Sequence, residues 1–355
     1  MNQTGTTRLF EATQIAIIST VTVLSLIYAK GFLVPVVLAV FLTMLLSSLR
    51  NAVWNSALGQ RLGKKLSTLA AAMILFGFSS IVLTTLSGQL SAFKAAIPVY
   101  ENNLNVLLSS LLAFTHLDDI PNVSSVMRQV DIGGFLTWIG ESLSLVASNV
   151  LLTFLYTLFL VSEKGNIPLK LARLKRDPSQ ALQMTRLCED IAHRVQRYIV
   201  MKSLISLLTA ITSYLVLSIV GVDFAPLWAL IIFFLNFIPN IGSLFGVLLP
   251  SLLTVLQFDT LTPFVVVCFG LSVIQFSIGN IMEPAYLGRQ LNLSSFVVLL
   301  SLSFWGAIWG LVGMFLSVPL LVITSLVCQH TKRLYWVSVL LSVDGHIAEP
   351  LGTSR

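Results

Sequence analysis

Long unbroken apolar stretches, rather than alternating ones, dominate this chain. Runs near the length that spans a bilayer as a helix, about 17 to 25 residues, recur along it. They cover Ile15 to Ala29, Phe32 to Leu49, Leu66 to Leu86, Leu143 to Val161 and Leu204 to Val222, then Pro226 to Gln257, Pro263 to Ile281 and Ser294 to Val327. A membrane strand would instead alternate apolar and polar positions over about ten residues. The pattern predicts an all-α polytopic membrane protein with about eight transmembrane segments.

The last three runs do not read as plain spans. Pro226 to Gln257 would extend about 48 Å as one helix at 1.5 Å per residue, too long for a hydrocarbon core about 30 Å thick and too short for two crossings. Within it, Phe237-Ile238-Pro239-Asn240-Ile241-Gly242 combines a residue without an amide donor and one with free backbone angles. Two partial helices meeting there are expected, and hydropathy leaves open whether the segment crosses or re-enters. Gly279-Asn280-Ile281-Met282-Glu283-Pro284 reads as a second break. The run from Ser294 to Val327 is also overlong, and Gly306, Gly310, Gly313 and Pro319 could kink or split it. Broken or re-entrant helices in the C-terminal half free backbone groups that only protein packing or a water-filled cavity can satisfy. Paired breaks are a pointer to a transporter's binding site.

Two stretches are amphipathic. Between Phe93 and Leu112 the apolar positions return at helical spacing, predicting an extracytoplasmic helical arm that is followed by a loop at Asp118 to Asn122 and a stretch from Phe135 to Ser142 leading back to the bilayer. Leu187, Ile191, Val195 and Ile199 repeat every four residues on a helix running into the fifth span. Packing, subunit contact and interfacial anchoring are all open to such faces. The expected organisation is N-terminal transmembrane helices over 1–90, the arm over 91–143, a helix and basic loop over 144–203, a transport region over 204–330 and a tail over 331–355.

Charge adds an orientation. Only 10% of residues are charged against 56% hydrophobic, where soluble domains carry about 25% charged, and the mean hydropathy is +0.90. Arg50, Arg61, Lys64 and Lys65 fill one short loop, and further basic residues crowd Lys164 to Lys202, including Arg173, Lys175 and Arg176; both are cytoplasmic by the positive-inside rule. The connection from Ser87 to Ser142 holds only Lys94 and Arg128 against five acids, so it faces outside. Crossing counts, with Lys332 and Arg333, put both termini in the cytoplasm. The net charge of +6 is then a topology signal and implies no nucleic acid. The first run lacks the flanks of a cleavable signal.

The chemistry on offer clusters at the breaks. Asn236, Asn240, Gln275 and Asn280 supply amide donors and acceptors, suited to a polar uncharged ligand or a partly dehydrated cation, while Pro239, Gly242 and Pro284 shape the backbone around them. Glu283 is the acidic residue at membrane depth in this half, a candidate for holding a cation or carrying a proton; the alternative is a helix-end carboxylate paired with Arg289 or capping backbone amides. Asp223 reads as an N-cap for the next helix. Cys188, Cys268 and Cys328 are isolated, and the histidines lack partners at metal spacing. No nucleotide-cradling G-x-x-x-x-G-K-[ST], H-E-x-x-H or G-x-S-x-G occurs. No enzyme activity and no cofactor are expected.

Together, Asp223, Leu227-Trp228-Ala229-Leu230, Asn236 through Ser243, Gly279 through Pro284, Leu287-Gly288-Arg289, Phe304-Trp305-Gly306 and Gly313 through Leu320 resemble the autoinducer-2 exporter family, as does Tyr198-Ile199-Val200-Met201-Lys202. The Pro-Asn-Ile-Gly-Ser form is similar to the branch that contains the autoinducer-2 exporter. The chain departs from the family at Asn292, where glycine is usual, and lacks the proline often found soon after. The resemblance implies a bacterial inner-membrane transporter, a homo-oligomer and by analogy a pentamer, with the C-terminal broken helices as the moving region. The combined expectation is a secondary transporter exporting a small polar metabolite such as autoinducer-2. Sodium–proton exchange is the alternative transport reading, and a non-transporting scaffold or sensor the alternative of another class.

Overall fold

The computed structural model describes residues 3–115, 149–166, 170, 173, 177–287, 292–331 and 334–345. The loop at Asp118 to Asn122, the stretch Phe135 to Ser142, Arg289, Lys332 and Arg333 lie outside them, and so do Lys175 and Arg176. Among the described residues the fold is helical, with one isolated bridge between Leu293 and Ser342 in place of any strand. Helix is the form in which apolar segments satisfy their own backbone. Hydroxyls inside the spans follow the same rule by bonding back one turn, as Thr43 does to the Ala39 carbonyl at 2.7 Å and Thr209 to the Ile205 carbonyl at 2.9 Å.

The N-terminal part comprises α1 (Gln3–Tyr28), α2 (Lys30–Trp54), α3 (Ala57–Thr115) and α4 (Val150–Glu163). Only Ala29 separates α1 from α2, and the amides of Phe32 and Leu33 still bond to its carbonyl at 3.0 and 2.9 Å. An antiparallel helix pair needs a loop of about two to five residues, so the first two apolar runs form one bent helix. Beyond a kink at Gly63, α3 runs through Pro98 to Thr115. The arm is thus the continuation of the third helix, with no break near position 90. Its described inner face, Phe93 and Tyr100, is buried.

The C-terminal part is two hairpins of opposite entry. The 43-residue α5 (Pro178–Val220) starts at an Asp177 N-cap that accepts from the Ser179 amide and ends at left-handed Gly221. Next come α6 (Ala225–Leu235), a non-helical tip, and α7 (Ile241–Gln257). The Gln257 side chain donates to the Gly221 carbonyl and accepts from the Asp223 amide, both at 2.9 Å. The far end of α7 therefore returns to the end of α5, and 226–257 re-enters rather than crosses. Asp223 does not cap α6; the cap position is Phe224, with φ 57° and no side-chain bond. Asp223 instead accepts from the Tyr100 hydroxyl at 2.8 Å, and Asn103 Nδ2 donates to the Leu256 carbonyl at 2.8 Å. These two bonds seat the arm on the mouth of the first hairpin.

From that mouth α8 (Thr262–Phe276) passes through a π-helical turn, Ser277–Met282, into α9 (Glu283–Leu287). Here the expectation of a break at Gly279 to Pro284 is corrected: the helix widens without stopping. A π turn shifts bonding to five residues back and so relieves the clash of the proline ring with the carbonyl four back. The second interruption is in α10 (Ser295–His330), where Gly310 takes φ 63° and ψ −142°. Ser301 Oγ donates to the Ser317 carbonyl at 3.2 Å, although a continuous helix would set those residues about 24 Å apart. So α10 is itself a hairpin, and its mouth is closed by α11 (Tyr335–Leu341), whose Leu341 carbonyl accepts from the Ser294 amide at 2.9 Å. The stretch Thr262–Tyr286, 25 residues or about 38 Å of helix, separates the two mouths. The hairpins enter from opposite ends.

Candidate functional site

The two tips overlap side by side in the middle of the molecule. Phe237 of the first lies 4.3 Å, ring centroid to ring centroid, from Phe315 of the second, and Phe41 of α2 packs on both at 6.2 and 5.2 Å. Close backbone approach makes each tip. A Cβ on Gly242 would stand 1.7 Å from the Leu235 carbonyl oxygen, and one on Gly313 would stand 1.9 Å from that of Trp305. Only glycine allows these crossings. The first tip also holds Asn240 at φ 61° and ψ −51°, a sparsely populated conformation that surrounding structure must enforce.

Behind the first tip runs a polar stripe on α5. Lys202, Ser206, Thr209 and Ser213 are all buried, at intervals of four, three and four residues that keep them on one face. Lys202 Nζ meets Glu283 Oε1 at 2.5 Å, with side-chain exposures of 5% and 24%. Ser206, one turn along, accepts from Asn236 Nδ2 at 3.0 Å. Two expected site residues from different segments thus converge on adjacent turns of α5. Because α5 and α6 are antiparallel and Asn236 faces Ser206, Ser213 comes level with Trp228. Among the described residues Ser213 Oγ and Trp228 Nε1 are both buried without a hydrogen-bond partner, and such groups in a native interior call for a bound water or ligand.

The other expected residues are dispersed. Gln275 is buried, and its Nε2 lies 3.1 Å from where a Cβ on Gly246 of α7 would stand. Gly242 is buried at the helix crossing, and Pro239 is half-buried at the tip. Asn240, Asn280 and Pro284 are exposed, so they do not join the pair and the stripe. Among the described residues no cluster of three His, Cys, Asp or Glu side chains could hold a metal.

Sequence reasoning missed Lys202 as a site residue, since its charge was absorbed into the basic cytoplasmic loop. A signal existed: Val195, Ile199, Lys202, Ser206, Thr209 and Ser213 continue one helical register, so the lysine falls on the buried face. A charge at such a position needs a partner, and Glu283 is the carboxylate that supplies it.

Comparison with known proteins identifies the family. Residues 16–333 match the AI-2E family transporter. The chain is 32% identical over 267 residues to the AI-2 transport protein TqsA of Escherichia coli, covering 74% of this chain and 76% of that one. It is also 32% identical over 272 residues to the putative transport protein YhhT of the same species, at 74% and 76% coverage. A putative transport protein of Borreliella burgdorferi is 32% identical over 250 residues, at 69% and 67%. The matched span takes in both hairpins and the stripe on α5, and the chain belongs to the AI-2E family of transporters, as a multi-pass membrane protein.

Proposed function

We propose that this protein exports a small polar metabolite across the bacterial inner membrane as a secondary transporter, with autoinducer-2, the solute in the name of one relative, as the first candidate. The observation that carries the reading is the meeting of two hairpins from opposite ends beside a buried polar stripe. Each hairpin closes the path from its own side, and parting the Phe237–Phe315 seam opens it. A polar solute then finds Asn236, Ser206, Thr209, Ser213 and Trp228 Nε1 as hydrogen-bonding groups, two of which lack partners among the described residues. With no nucleotide-binding loop in the sequence, the driving force is a gradient. The working unit in this reading is a homo-oligomer, a pentamer, with the C-terminus in the cytoplasm; joining the first two apolar runs in one helix removes a crossing, so the crossing count no longer puts the N-terminus there.

The Lys202–Glu283 pair favours a second reading, cation–proton exchange. A cation competing for the Glu283 carboxylate would release Lys202, and the charge left behind must be neutralised or moved. Counterflow in proteoliposomes separates the two. Exchange of labelled autoinducer-2 that falls at least tenfold in Asn236→Ala and in Glu283→Gln supports metabolite export. Sodium-driven proton movement lost in Glu283→Gln, with no autoinducer-2 exchange in the wild type, replaces it with the antiporter. Silence of folded protein in both assays removes both solutes.

A further inference from the structure

Gln275 on α8 comes level with the polar stripe on α5. The two helices are antiparallel, with Glu283 on Lys202 at one end. At the other, a Cβ on Gly270 would stand 3.2 Å from Val216 Cγ1. Gln275 lies between these contacts, opposite the turn from Thr209 to Ser213. Its side chain reaches the first hairpin: the point where a Cβ on Gly246 of α7 would stand is 3.1 Å from Gln275 Nε2 and 3.5 Å from Ile232 Cγ1 of α6. The carboxamide thus ends at the gap between the two legs, about 6 Å of helix behind the crossing at Gly242.

Both sides of this contact are unfavourable as packing alone. Gly246 has ordinary helical backbone inside α7, where glycine is less stable than alanine. Gln275 is 8% exposed, and among the described residues its carboxamide makes no hydrogen bond, which leaves its desolvation uncompensated. A leucine opposite an alanine would close the same gap without either penalty. The glycine makes room for an amide, and the amide lacks a partner, as do Ser213 Oγ and Trp228 Nε1 among the described residues. A carboxamide offers donors and an acceptor, a hydroxyl either, and an indole N–H only a donor. None is charged, and an N–H dipole repels a cation, so the set suits a compact uncharged solute bearing hydroxyl or carbonyl oxygens.

We infer that Gln275 is a specificity-determining residue of this transporter, its carboxamide bonding a hydroxyl or carbonyl group of an uncharged solute held between α5, α8 and the legs of the first hairpin. The inference rests on the export reading above and adds α8 as a wall of the site. Gly246 is then a positioning residue, since it sets where the amide stands.

Counterflow of labelled autoinducer-2 in proteoliposomes tests this. Gln275→Leu, which removes an unpartnered amide, should melt no lower than wild type in detergent and yet raise KM on the order of tenfold. Gly246→Ala, which crowds the amide, should raise KM less. A wild-type KM in Gln275→Leu assigns the amide to a bound water and overturns the inference. No exchange by the wild type defeats autoinducer-2 as the solute, and the site is then decided without it. Gln275→Cys, in a chain with Cys188, Cys268 and Cys328 replaced by serine, should react with uncharged 2-hydroxyethyl methanethiosulfonate. Leu271→Cys, one turn away and 1% exposed, should not. An inert Gln275→Cys, or equal reaction of both, overturns the site.

Discussion

The two hairpins solve the same problem with different residues. The first turns through five non-helical residues, 236–240, with a proline, two asparagines and a strained backbone at Asn240, and it is tied by Asn236 to the polar stripe. The second turns on Gly310 inside an apolar run, and among the described residues its tip contacts are mainly apolar, with Trp309 Nε1 donating to the Leu26 carbonyl at 3.0 Å. A tip that carries hydrogen-bonding groups can recognise a solute. A tip whose contacts are almost all apolar has little beyond a seal to offer it. In the proposed reading the chemistry therefore belongs to the first hairpin and its partners on α5, and the second acts as its counter-face.

Breaking the Lys202–Glu283 pair should have the largest effect. Glu283→Ala leaves a buried ammonium without its partner and should cost about 3 to 5 kcal/mol, read as a fall in unfolding midpoint in detergent. Adding Lys202→Met should recover most of it. If the single variant is neutral, the pair does not hold α5 to α9. The hairpin turns come next. Gly242→Ala and Gly313→Ala each force a Cβ into a carbonyl oxygen, for about 1 to 3 kcal/mol. By the comparison above, Gly242→Ala should also distort solute recognition, seen as a raised KM for counterflow, while Gly313→Ala should raise passive leak. The reverse pattern would exchange the roles of the hairpins.

Asn240→Gly should sharpen the contrast with a smaller effect of opposite sign. Glycine takes the backbone angles of Asn240 without strain, so the variant should gain up to about 1 kcal/mol; a loss would mean that the Asn240 side chain makes a contact needed for folding. The smallest effect concerns the arm. Burial, and then the bond to Asp223, raise the Tyr100 hydroxyl well above its ordinary value of 10.0. A raised folded-state value means that this contact is fully present below pH 10 and weakens as pH climbs beyond it. Limited proteolysis of the arm should be flat from pH 7 to about 9 and accelerate above about 10, and Tyr100→Phe should remove that dependence. Acceleration in both proteins would assign the change elsewhere.

Apolar run lengths, charge asymmetry and the motifs around Asn236 and Glu283 were enough to read an all-helical membrane protein, its interrupted C-terminal half and its family from the chain alone. Those are properties of local composition: which solvent a segment prefers and whether its backbone can stay helical. Direction was not legible. Re-entry of 226–257 depends on Gln257 reaching Gly221 and Asp223, 36 and 34 residues away, and hydropathy has no term for where a helix turns round. Gly310 looked like one of several small residues in an overlong run, because glycine signals a reversal only when the arms it joins pack together. Glu283 was visible as an ionisable group in hydrocarbon, but its partner, 81 residues away on α5, was counted with the cytoplasmic charges. The sequence by itself determined that the chain is helical, where it is apolar and where its helices are weak. Tertiary packing decided which weak points reverse the chain and which charge answers Glu283, because both are set by contacts between segments far apart in sequence.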